Sequence, residues 1–302
     1  MDTAKIKKAW LRSWRLYLLI LPAVIATGIF CYGPMYGVQI AFKDYSTKLG
    51  IWGSPWVGLD NFVRFLKYPD TWQLLKNTLR LSLYGYVGTP ITIALALMIN
   101  ELNVRWFKKT IQMISYAPHF LSTVVVCSMV TLFADRSTGL FTNIIELFGG
   151  TRQAWLSVPG AFGHLYTWSG VWQGVGFGTI IYLATLAGVS DEQLEAAEID
   201  GANRLQRIWH VKLPAITPTI VILLIMSTSG LLNVSFEKVF LLKNDLNSEV
   251  SNVISTYTYE LGLLQGQFSY SAAIGLFNNI FNVLILCVVN MIAKRVSEVS
   301  LW

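Results

Sequence analysis

The sequence is short of charged residues. Of its 302 residues only 13% are Asp, Glu, Lys or Arg, whereas 54% are hydrophobic. A soluble domain carries about 25% charged residues, so this chain has too few of them to cover a surface in water. The composition therefore indicates an integral membrane protein. Its basic residues lie beside apolar runs, unlike the polar, basic clusters of a nucleic-acid-binding protein, so no nucleic-acid partner is expected.

Cysteine and histidine are equally scarce, with three residues of each. The cysteines lie singly in separate apolar runs, which is typical of small buried hydrophobic side chains. No Cys or His stands at metal-ligand spacing from another. A catalytic histidine needs a partner within hydrogen-bond distance, and the sequence nominates none. We therefore expect no metal site, no catalytic residue and no enzymatic activity.

A phosphate-binding loop is missing as well. The usual nucleotide cradle reads G-x-x-x-x-G-K-[ST], and no glycine in this sequence is followed by lysine. The glycine-rich segment 174–178 lies inside an apolar run, where close helix packing through small residues explains it better. The chain is expected to bind no cofactor of its own, and any ATP that drives it would be hydrolysed by a separate protein.

Long apolar runs, by contrast, are abundant. A spanning helix needs roughly 20 mainly apolar residues to cross about 30 Å of hydrocarbon. Six segments qualify, at 16–41, 79–100, 110–133, 165–189, 215–234 and 270–293. The first is too long for the apolar part of a secretory signal, so we interpret it as a retained span. We predict an all-α integral membrane protein with six transmembrane helices, which together form one domain over residues 16–293.

The positions of Lys and Arg predict the orientation of these spans. Cytoplasmic segments carry an excess of basic residues, and their density is highest in the segments that lie inside if the N-terminus is cytoplasmic. Both terminal segments, 1–15 and 294–302, are therefore predicted to be cytoplasmic. The longer segments 43–78, 134–164 and 235–269 then lie outside, and Lys238 is counted among their charges.

The segment 190–214, between the fourth and fifth runs, is the most informative part of the chain. Ser190 and Gln193 have the spacing of a capping box at the start of a helix. Gly201 can end or bend that helix, and a second amphipathic turn follows, with Arg204 and Arg207 predicted to face water. The periodicity alone is equally typical of an ordinary amphipathic connector.

The residues of this segment resemble a family signature. Glu195-Ala196-Ala197, then Gly201 after three residues, then Leu213-Pro214 resemble the signature loop in permeases of type I ABC importers, the binding-protein-dependent transport family. The resemblance implies that this segment is a cytoplasmic coupling helix, seated in a groove of an ATPase subunit. The residues that it implies for this contact are Glu195, Ala196, Ala197, Asp200, Gly201, Ala202, Arg204, Leu213 and Pro214.

The likeness covers nearly the whole chain. The segments 56–62 and 117–120 are similar to the carbohydrate branch of these permeases, which includes the maltose-type and the oligosaccharide or polysaccharide relatives. The large outside domain of the maltose-type member is missing, so contacts of that domain cannot be transferred. The resemblance implies the permease subunit of an ATP-driven importer in a bacterial plasma membrane. Its cargo would be a carbohydrate, in particular an oligosaccharide, moved into the cytoplasm by alternating access.

The same resemblance implies the partners. They are a second, homologous permease subunit, two cytoplasmic ATPase subunits that bind the ATP and Mg, and an extracytoplasmic solute-binding protein. Two alternatives stay open: a permease for another solute class, and a secondary transporter or channel. The second alternative would place acids or bases inside the membrane along the path, and the apolar runs are nearly free of them.

Polar residues at membrane depth are candidates for the solute path. Asn233, Phe236 and Glu237, near the outer end of the fifth run, resemble the place where the maltose-type permease presents a Phe and Asn residues to its sugar. Glu237 stands roughly where that relative has an amide. Trp172 and Gln173 of the fourth run are the second candidates. Hydrogen bonding between helices is an equally good interpretation of these polar residues.

Overall fold

A computed structural model describes residues 3–296 and 300–301 of the chain, with side chains from residue 13 onward. Helices dominate this part of the chain, and its only β-type pairing is an isolated antiparallel bridge between Lys43 and Trp56. The predicted all-α class is therefore confirmed. Two positions of the predicted N-terminal segment, residues 1–2, and four of the predicted C-terminal segment, residues 297–299 and 302, lie outside this range.

The helices follow one another with short connections. In chain order the α-helices of the described residues are α1 Thr3–Thr27, α2 Gly50–Gly53, α3 Asp60–Lys67, α4 Thr71–Gly85, α5 Gly88–Asn100, α6 Arg105–Tyr116, α7 Thr123–Phe133, α8 Leu140–Leu147, α9 Pro159–Leu186, α10 Asp191–Ile199, α11 Arg204–Arg207, α12 Leu213–Thr228, α13 Phe236–Leu242, α14 Ser248–Ser251, α15 Ile254–Tyr259 and α16 Phe268–Val296. Tighter or wider helical turns adjoin them at Gly28–Tyr32, Gly33–Phe42, Ala117–Phe120, Trp155–Ser157, Ile208–Lys212 and Glu260–Leu264.

Length and apolar character identify the helices that could cross a membrane. Four qualify in the described part of the chain: Ser13–Phe42, Thr71–Asn100, Arg204–Thr228 and Phe268–Val296. Two bent pairs qualify if each is counted as one span: Arg105–Phe120 with Thr123–Phe133, bent by 95°, and Pro159–Leu186 with Asp191–Ile199, bent by 80°. The structure thus contains four to six candidate spans, and each predicted apolar run overlaps one of them.

The third predicted run, 110–133, is not one straight helix. α6 continues into a 3-10 turn at Ala117–Phe120, and α7 then starts in a new direction. Pro118 has no backbone N–H to donate. Ser122 is extended, and its hydroxyl accepts a hydrogen bond from the Val125 amide at 3.3 Å, which makes it the N-cap of α7. These two residues explain a bend inside a run that is apolar on both sides.

The fifth predicted run, 215–234, is helical only as far as Thr228. The hydroxyls of residues 227–229 each donate to the carbonyl three residues earlier, at 2.7 Å. Side-chain hydrogen bonds of this kind compete with the helix, and the chain turns before α13. Asn233 therefore lies in an irregular segment, and Phe236 starts a short helix. Neither residue lies at the end of a straight span.

One compact unit consists of residues 1–67 and 261–276. Its candidate span Ser13–Phe42 exposes many apolar side chains, and Leu19 and Phe30 are both about three-quarters exposed, at 76% and 77%. A helix that is apolar all round suits lipid or protein surroundings rather than water. Lys43 of this unit is buried but satisfied, because its Nζ donates to the Ile51 carbonyl at 2.6 Å.

The second unit consists of residues 68–260 and 277–302, and α9 is its central helix. α9 contacts α4, α5, α6, α7, α12 and α13. Its contact with α6 leaves no room for a side chain, since a Cβ on Gly176 would lie 1.9 Å from the Ser115 carbonyl oxygen. This geometry supports the close helix packing predicted for 174–178.

Two clusters of buried apolar residues hold the second unit together. The first contains Leu81, Cys127, Val130, Phe162, Val234, Val239, Leu242 and Val253, and the second contains Ala96, Leu97, Tyr182, Leu186 and Ile216. Val239 and Leu242 are fully buried, so they anchor the short helix α13 against α7 and α9. This anchoring fixes the position of Lys238, which lies on the same helix.

Candidate functional site

The segment 190–214 folds as two short helices joined by a glycine corner. α10 leaves α9 at a bend of 80°, and Gly201 then adopts a φ of +81°, a left-handed conformation that disfavours residues with a Cβ. The Ala202 amide donates to the Ala197 carbonyl at 2.9 Å across this corner, as at other helix ends closed by glycine. The predicted bend at Gly201 is therefore present.

The capping box forms at a different place from the one predicted. The Ser190 side chain makes no capping hydrogen bond, so the predicted box with Gln193 is wrong. A box forms instead at the start of α11, where Asn203 Oδ1 accepts from the Gln206 amide at 3.0 Å and Gln206 Oε1 accepts from the Asn203 amide at 2.8 Å. The sequence allowed both positions, and the glycine corner fixes the backbone before Asn203.

Ion pairs tie the corner to its surroundings. Arg207 Nη1 donates to Glu198 Oε2 at 2.7 Å, and the Arg207 side chain is only 22% exposed, so the prediction that Arg207 faces water is wrong. Glu198 is largely exposed, and such a pair contributes geometry more than stability. Lys212 Nζ donates to Asn100 Oδ1 at 2.8 Å and to the Glu101 carboxylate. The corner is thereby joined to the end of α5.

The corner carries exposed apolar side chains on its surface. Ile199 is 86% exposed, Leu205 67% and Trp209 64%. Apolar residues that stay this exposed among charged neighbours mark an interaction surface. A small cavity of about 250 Å³ lies beside them, lined by Ala197, Asp200, Gly201, Ala202, Gln206, Arg207, His210 and Val211.

The predicted coupling residues lie together on this corner. Four of them, Ala197, Asp200, Gly201 and Ala202, line the small cavity. Glu195, Ala196 and Arg204 are exposed on the two short helices. Leu213 and Pro214 open α12, which continues the helical turns of 204–212 without a break.

Two of the predicted path residues line adjoining cavities in the second unit, and the lining of each cavity mixes polar and apolar side chains. Gln173 borders a cavity of about 570 Å³, and Asn233 borders one of about 320 Å³. The two cavities share the lining residues Gly85, Thr89, Tyr166, Ser227 and Ser235. Asn233 Oδ1 also accepts a hydrogen bond from Asn278 Nδ2 at 2.7 Å, so its side chain connects to α16.

The other three predicted path residues lie elsewhere. Phe236 packs in an aromatic cluster, with its ring centroid 5.4 Å from Phe240 and 4.7 Å from Tyr259. Glu237 is exposed. Trp172 borders a different cavity, of about 640 Å³, whose lining is mainly apolar and aromatic. Consecutive helix positions point in different directions, which separates Trp172 from its neighbour Gln173.

Lys238 is the residue that the sequence reasoning missed. It was counted as a charge of an outside loop, but it is only 6% exposed and lines the 570 Å³ cavity beside Gln173. Its Nζ lies 5.0 Å from the centroid of the Tyr166 ring. One signal could have found it, because Lys238 is followed by the apolar residues 239–242, which favour burial of the turn that carries the charge.

The segment 134–158 is held by charged side chains. Asp135 Oδ1 accepts hydrogen bonds from the amides of Ser137 and Thr138, both at 2.8 Å, and from their hydroxyls. These donors hold the pKa of Asp135 well below its usual range. Arg152 donates to Glu146 Oε2 at 2.6 Å, which lowers the pKa of Glu146 and raises that of Arg152. The segment is therefore ordered by its own contacts.

Comparison with known proteins gives a consistent set of relatives. The family model described as "binding-protein-dependent transport system inner membrane component" matches residues 88–298. The protein LplB of Bacillus subtilis (strain 168) is 42% identical over 288 residues, which cover 95% of this chain and 91% of LplB. The polygalacturonan/rhamnogalacturonan transport system permease protein YteP of the same organism is 43% identical over 288 residues, or 95% of this chain and 90% of YteP.

A solved structure is similar along almost the whole chain. A crystal structure of a bacterial ABC transporter involved in the import of the acidic polysaccharide alginate contains a chain that superposes with a TM-score of 0.89 at 37% sequence identity. The match covers 97% of this chain and 99% of that one. At this identity and coverage the likeness includes the fold and the order of the helices.

Proposed function

Because the chain belongs to the family of binding-protein-dependent transport system inner membrane components, we propose that it is the permease subunit of an ATP-driven importer that carries an oligosaccharide into the cytoplasm. The observation that carries this proposal is the glycine corner, whose exposed apolar residues lie within the part matched by the family model. The solute class rests on the relatives, since polygalacturonan, rhamnogalacturonan and alginate are carbohydrates.

The corner is the proposed contact with a cytoplasmic ATPase subunit. Ile199, Leu205 and Trp209 offer exposed apolar surface, and Ala196 is small enough for another chain to approach its helix closely. The ion pair between Arg207 and Glu198 and the contacts of Lys212 with α5 stiffen the corner. A displacement of the corner would therefore move α5 and α12 together.

In the proposed topology the four long helices and the two bent pairs make six spans. The corner and both termini are then cytoplasmic. The support for this orientation is the density of Lys and Arg in the short segments on that side, including Arg204 and Lys212 of the corner. The ordered segment 134–158 lies on the extracytoplasmic side in this arrangement.

The proposed assembly contains a second, homologous permease subunit, two ATPase subunits that bind the ATP and Mg, and an extracytoplasmic solute-binding protein. The family description itself refers to a binding protein. The similar alginate transporter was crystallised with a periplasmic protein that held an alginate pentasaccharide. The segment 134–158 of this chain is a candidate surface for such a protein.

The proposed solute path follows the two adjoining cavities that share Tyr166 and Ser235 in their lining. Gln173 and Asn233 have the strongest support, because each borders one of them. Phe236, Glu237 and Trp172 have less support, because they lie outside both cavities. Hydroxyl groups and amides along such a path can replace the water around a sugar.

Alternating access supplies the proposed mechanism. ATP binding draws the ATPase subunits together, the corners of the two permeases follow, and the path opens to the outside. ATP can shift this equilibrium only because it binds one state of the ATPase more tightly than the other. The work is transmitted by the corner, and this chain takes part in no covalent step.

Reconstitution into lipid vesicles tests the proposal. The chain, its partner permease and the ATPase subunits are supplied with binding protein and short labelled oligosaccharides, both neutral and acidic. We expect accumulation only when ATP is present on the side of the corner. Accumulation driven by a proton or sodium gradient without ATP would contradict the proposal and favour a secondary transporter.

A further inference from the structure

The ammonium group of Lys238 is buried without a counter-ion. The residue is 6% exposed, and the described part of the chain shows no ion pair and no hydrogen bond from its Nζ. Among the described residues, Nζ makes a cation–π contact with Tyr166, whose ring centroid lies 5.0 Å away. Burying a charge without an ionic or hydrogen-bonding partner is unfavourable, and the Tyr166 ring offers a cation–π contact but no counter-ion. The fold alone does not explain this lysine.

The other buried lysine of the chain shows what a structural lysine looks like. Lys43 also lies over an aromatic ring, Trp56, at 4.7 Å. It differs because its Nζ donates to a backbone carbonyl, that of Ile51, at 2.6 Å. Lys238 lacks such an acceptor, so its hydrogen-bonding capacity remains available.

The ammonium of Lys238 lies at the edge of the cavity, against α9 at Gly170. A Cβ on Gly170 would lie 3.0 Å from Nζ, so a larger residue there would cover the charge. Thr167, one turn away on the same helix as Gly170, lines the same cavity. Its hydroxyl is buried and has no hydrogen-bond partner among the described residues. The Lys238 ammonium and the Thr167 hydroxyl, two donors without a hydrogen-bond acceptor among the described residues, thus belong to residues that line the same cavity.

No carboxylate in the described lining of the cavity neutralises the charge of Lys238. The lining contains Thr, Ser, Gln and Tyr side chains together with Lys238, and neither Asp nor Glu is among the described residues that form it. Its volume, about 570 Å³, falls in the usual range for small-molecule sites. A cavity with a single buried positive charge attracts anions and disfavours cations.

From these observations we propose that Lys238 binds the carboxylate of a uronate unit in the translocated oligosaccharide, with the Thr167 hydroxyl as a second donor, and so selects acidic over neutral carbohydrates. The inference rests on the proposed function and deepens it. A carboxylate fits because it accepts several charge-assisted hydrogen bonds at once. The uncharged edge of the sugar unit would meet the hydroxyls and the Tyr faces of the cavity.

Replacing the charge tests this proposal. The reconstituted importer is supplied with oligogalacturonate and with its methyl ester, which keeps the sugar but removes the charge, and the ratio of kcat/KM for acid to ester is measured. All variants are measured with the same binding protein, so its own preference for acid or ester affects every ratio equally and does not alter the comparison between variants. We expect Lys238→Met to lower the ratio by about tenfold or more, and Lys238→Arg to retain it.

Lys243→Met is the matched control. Lys243 directly follows α13, and its Nζ donates to Glu260 Oε1 at 2.6 Å. Its replacement by Met removes the same positive charge, but from a residue that does not line the cavity. We expect the ratio to stay at the parent value. An unchanged ratio in Lys238→Met, or an equal fall in Lys243→Met, would overturn the proposal. If the parent complex transports neither compound with ATP, the proposed function itself fails.

Thermal unfolding separates a binding role from a structural one. Removing an unpaired buried charge should not destabilise the fold, so we expect Lys238→Met to unfold at the parent Tm or above it. A Met variant with a lower Tm and the parent ratio would assign Lys238 to the fold and overturn the proposal.

Discussion

At the scale of single residues, the identity of one glycine decides how two helices meet. Gly176 of α9 lies against the backbone of α6, where a Cβ would come within 1.9 Å of the Ser115 carbonyl oxygen. Gly174 lies half a turn away on the same helix and has no atom within 4 Å of its Cβ position. The same substitution at these two sites should therefore have opposite consequences.

We expect Gly176→Ala to destabilise the protein by about 1–3 kcal/mol, because the added methyl group forces α9 and α6 apart. Gly174→Ala should be neutral or stabilising by up to about 1 kcal/mol, because alanine favours a helix. Thermal unfolding in detergent measures both. Equal Tm values for the two variants would show that the contact between these helices is not as tight as described.

Lys238 shows why a buried charge is hard to predict from a sequence. Gln173 was a candidate because polar residues stand out in apolar runs, and Asn233 was one because its segment also resembles the maltose-type permease; each lines one of the two adjoining cavities. Lys238 follows the end of a run, where lysines are common at membrane surfaces. Its burial depends on the packing of Val239 and Leu242 against other helices, and that packing depends on residues distant in sequence.

At the scale of elements, long apolar runs predicted where helices occur, but bends and ends needed the structure. The chain is apolar on both sides of Ser122, so hydropathy alone does not predict the bend of 95° at this position. The end of α12 at Thr228 depends on hydroxyl groups that can also stay inside a helix. The corner at Gly201 was predictable, because glycine between two amphipathic segments permits the positive φ that is observed.

The corner gives a prediction for coupling. Gly201→Val places a β-branched residue at a φ of +81°, a strain of about 1–2 kcal/mol or more, which the corner can relieve by opening. We expect oligosaccharide uptake per ATP hydrolysed to fall by about tenfold while membrane insertion is unchanged. Uptake and ATP hydrolysis are measured in the same vesicles.

A second glycine provides the control for that experiment. Gly58 also has a left-handed φ, of +61°, and, like Gly201, has open space at its Cβ position, but it lies in the segment 43–78. Gly58→Val should carry similar backbone strain and leave the coupling ratio unchanged. A normal coupling ratio in Gly201→Val would contradict the role given to the corner.

At the scale of the whole molecule, the exposed apolar surfaces of the chain require contact with lipid or with other proteins. Apolar side chains are exposed on α1 and α16, among them Leu19, Leu21, Val283 and Ile292, where water would be unfavourable. The corner exposes apolar residues of a different kind, since they stand beside charged side chains, as at a protein interface. The proposed division of labour follows from this contrast, with lipid along the spans and an ATPase at the corner.

Cross-linking of the assembled complex tests the central claim most directly. In a chain whose cysteines, Cys31, Cys127 and Cys287, are replaced by Ala, a new cysteine is introduced by Glu195→Cys in the corner or by Thr151→Cys in the segment 134–158, both at exposed positions. A short cross-linker with a maleimide at one end and an amine-reactive ester at the other should link the corner variant, and not the Thr151 variant, to a surface lysine of the ATPase subunit. Failure of Glu195→Cys to link, or its labelling by an impermeant maleimide applied to the extracytoplasmic side, would contradict the account.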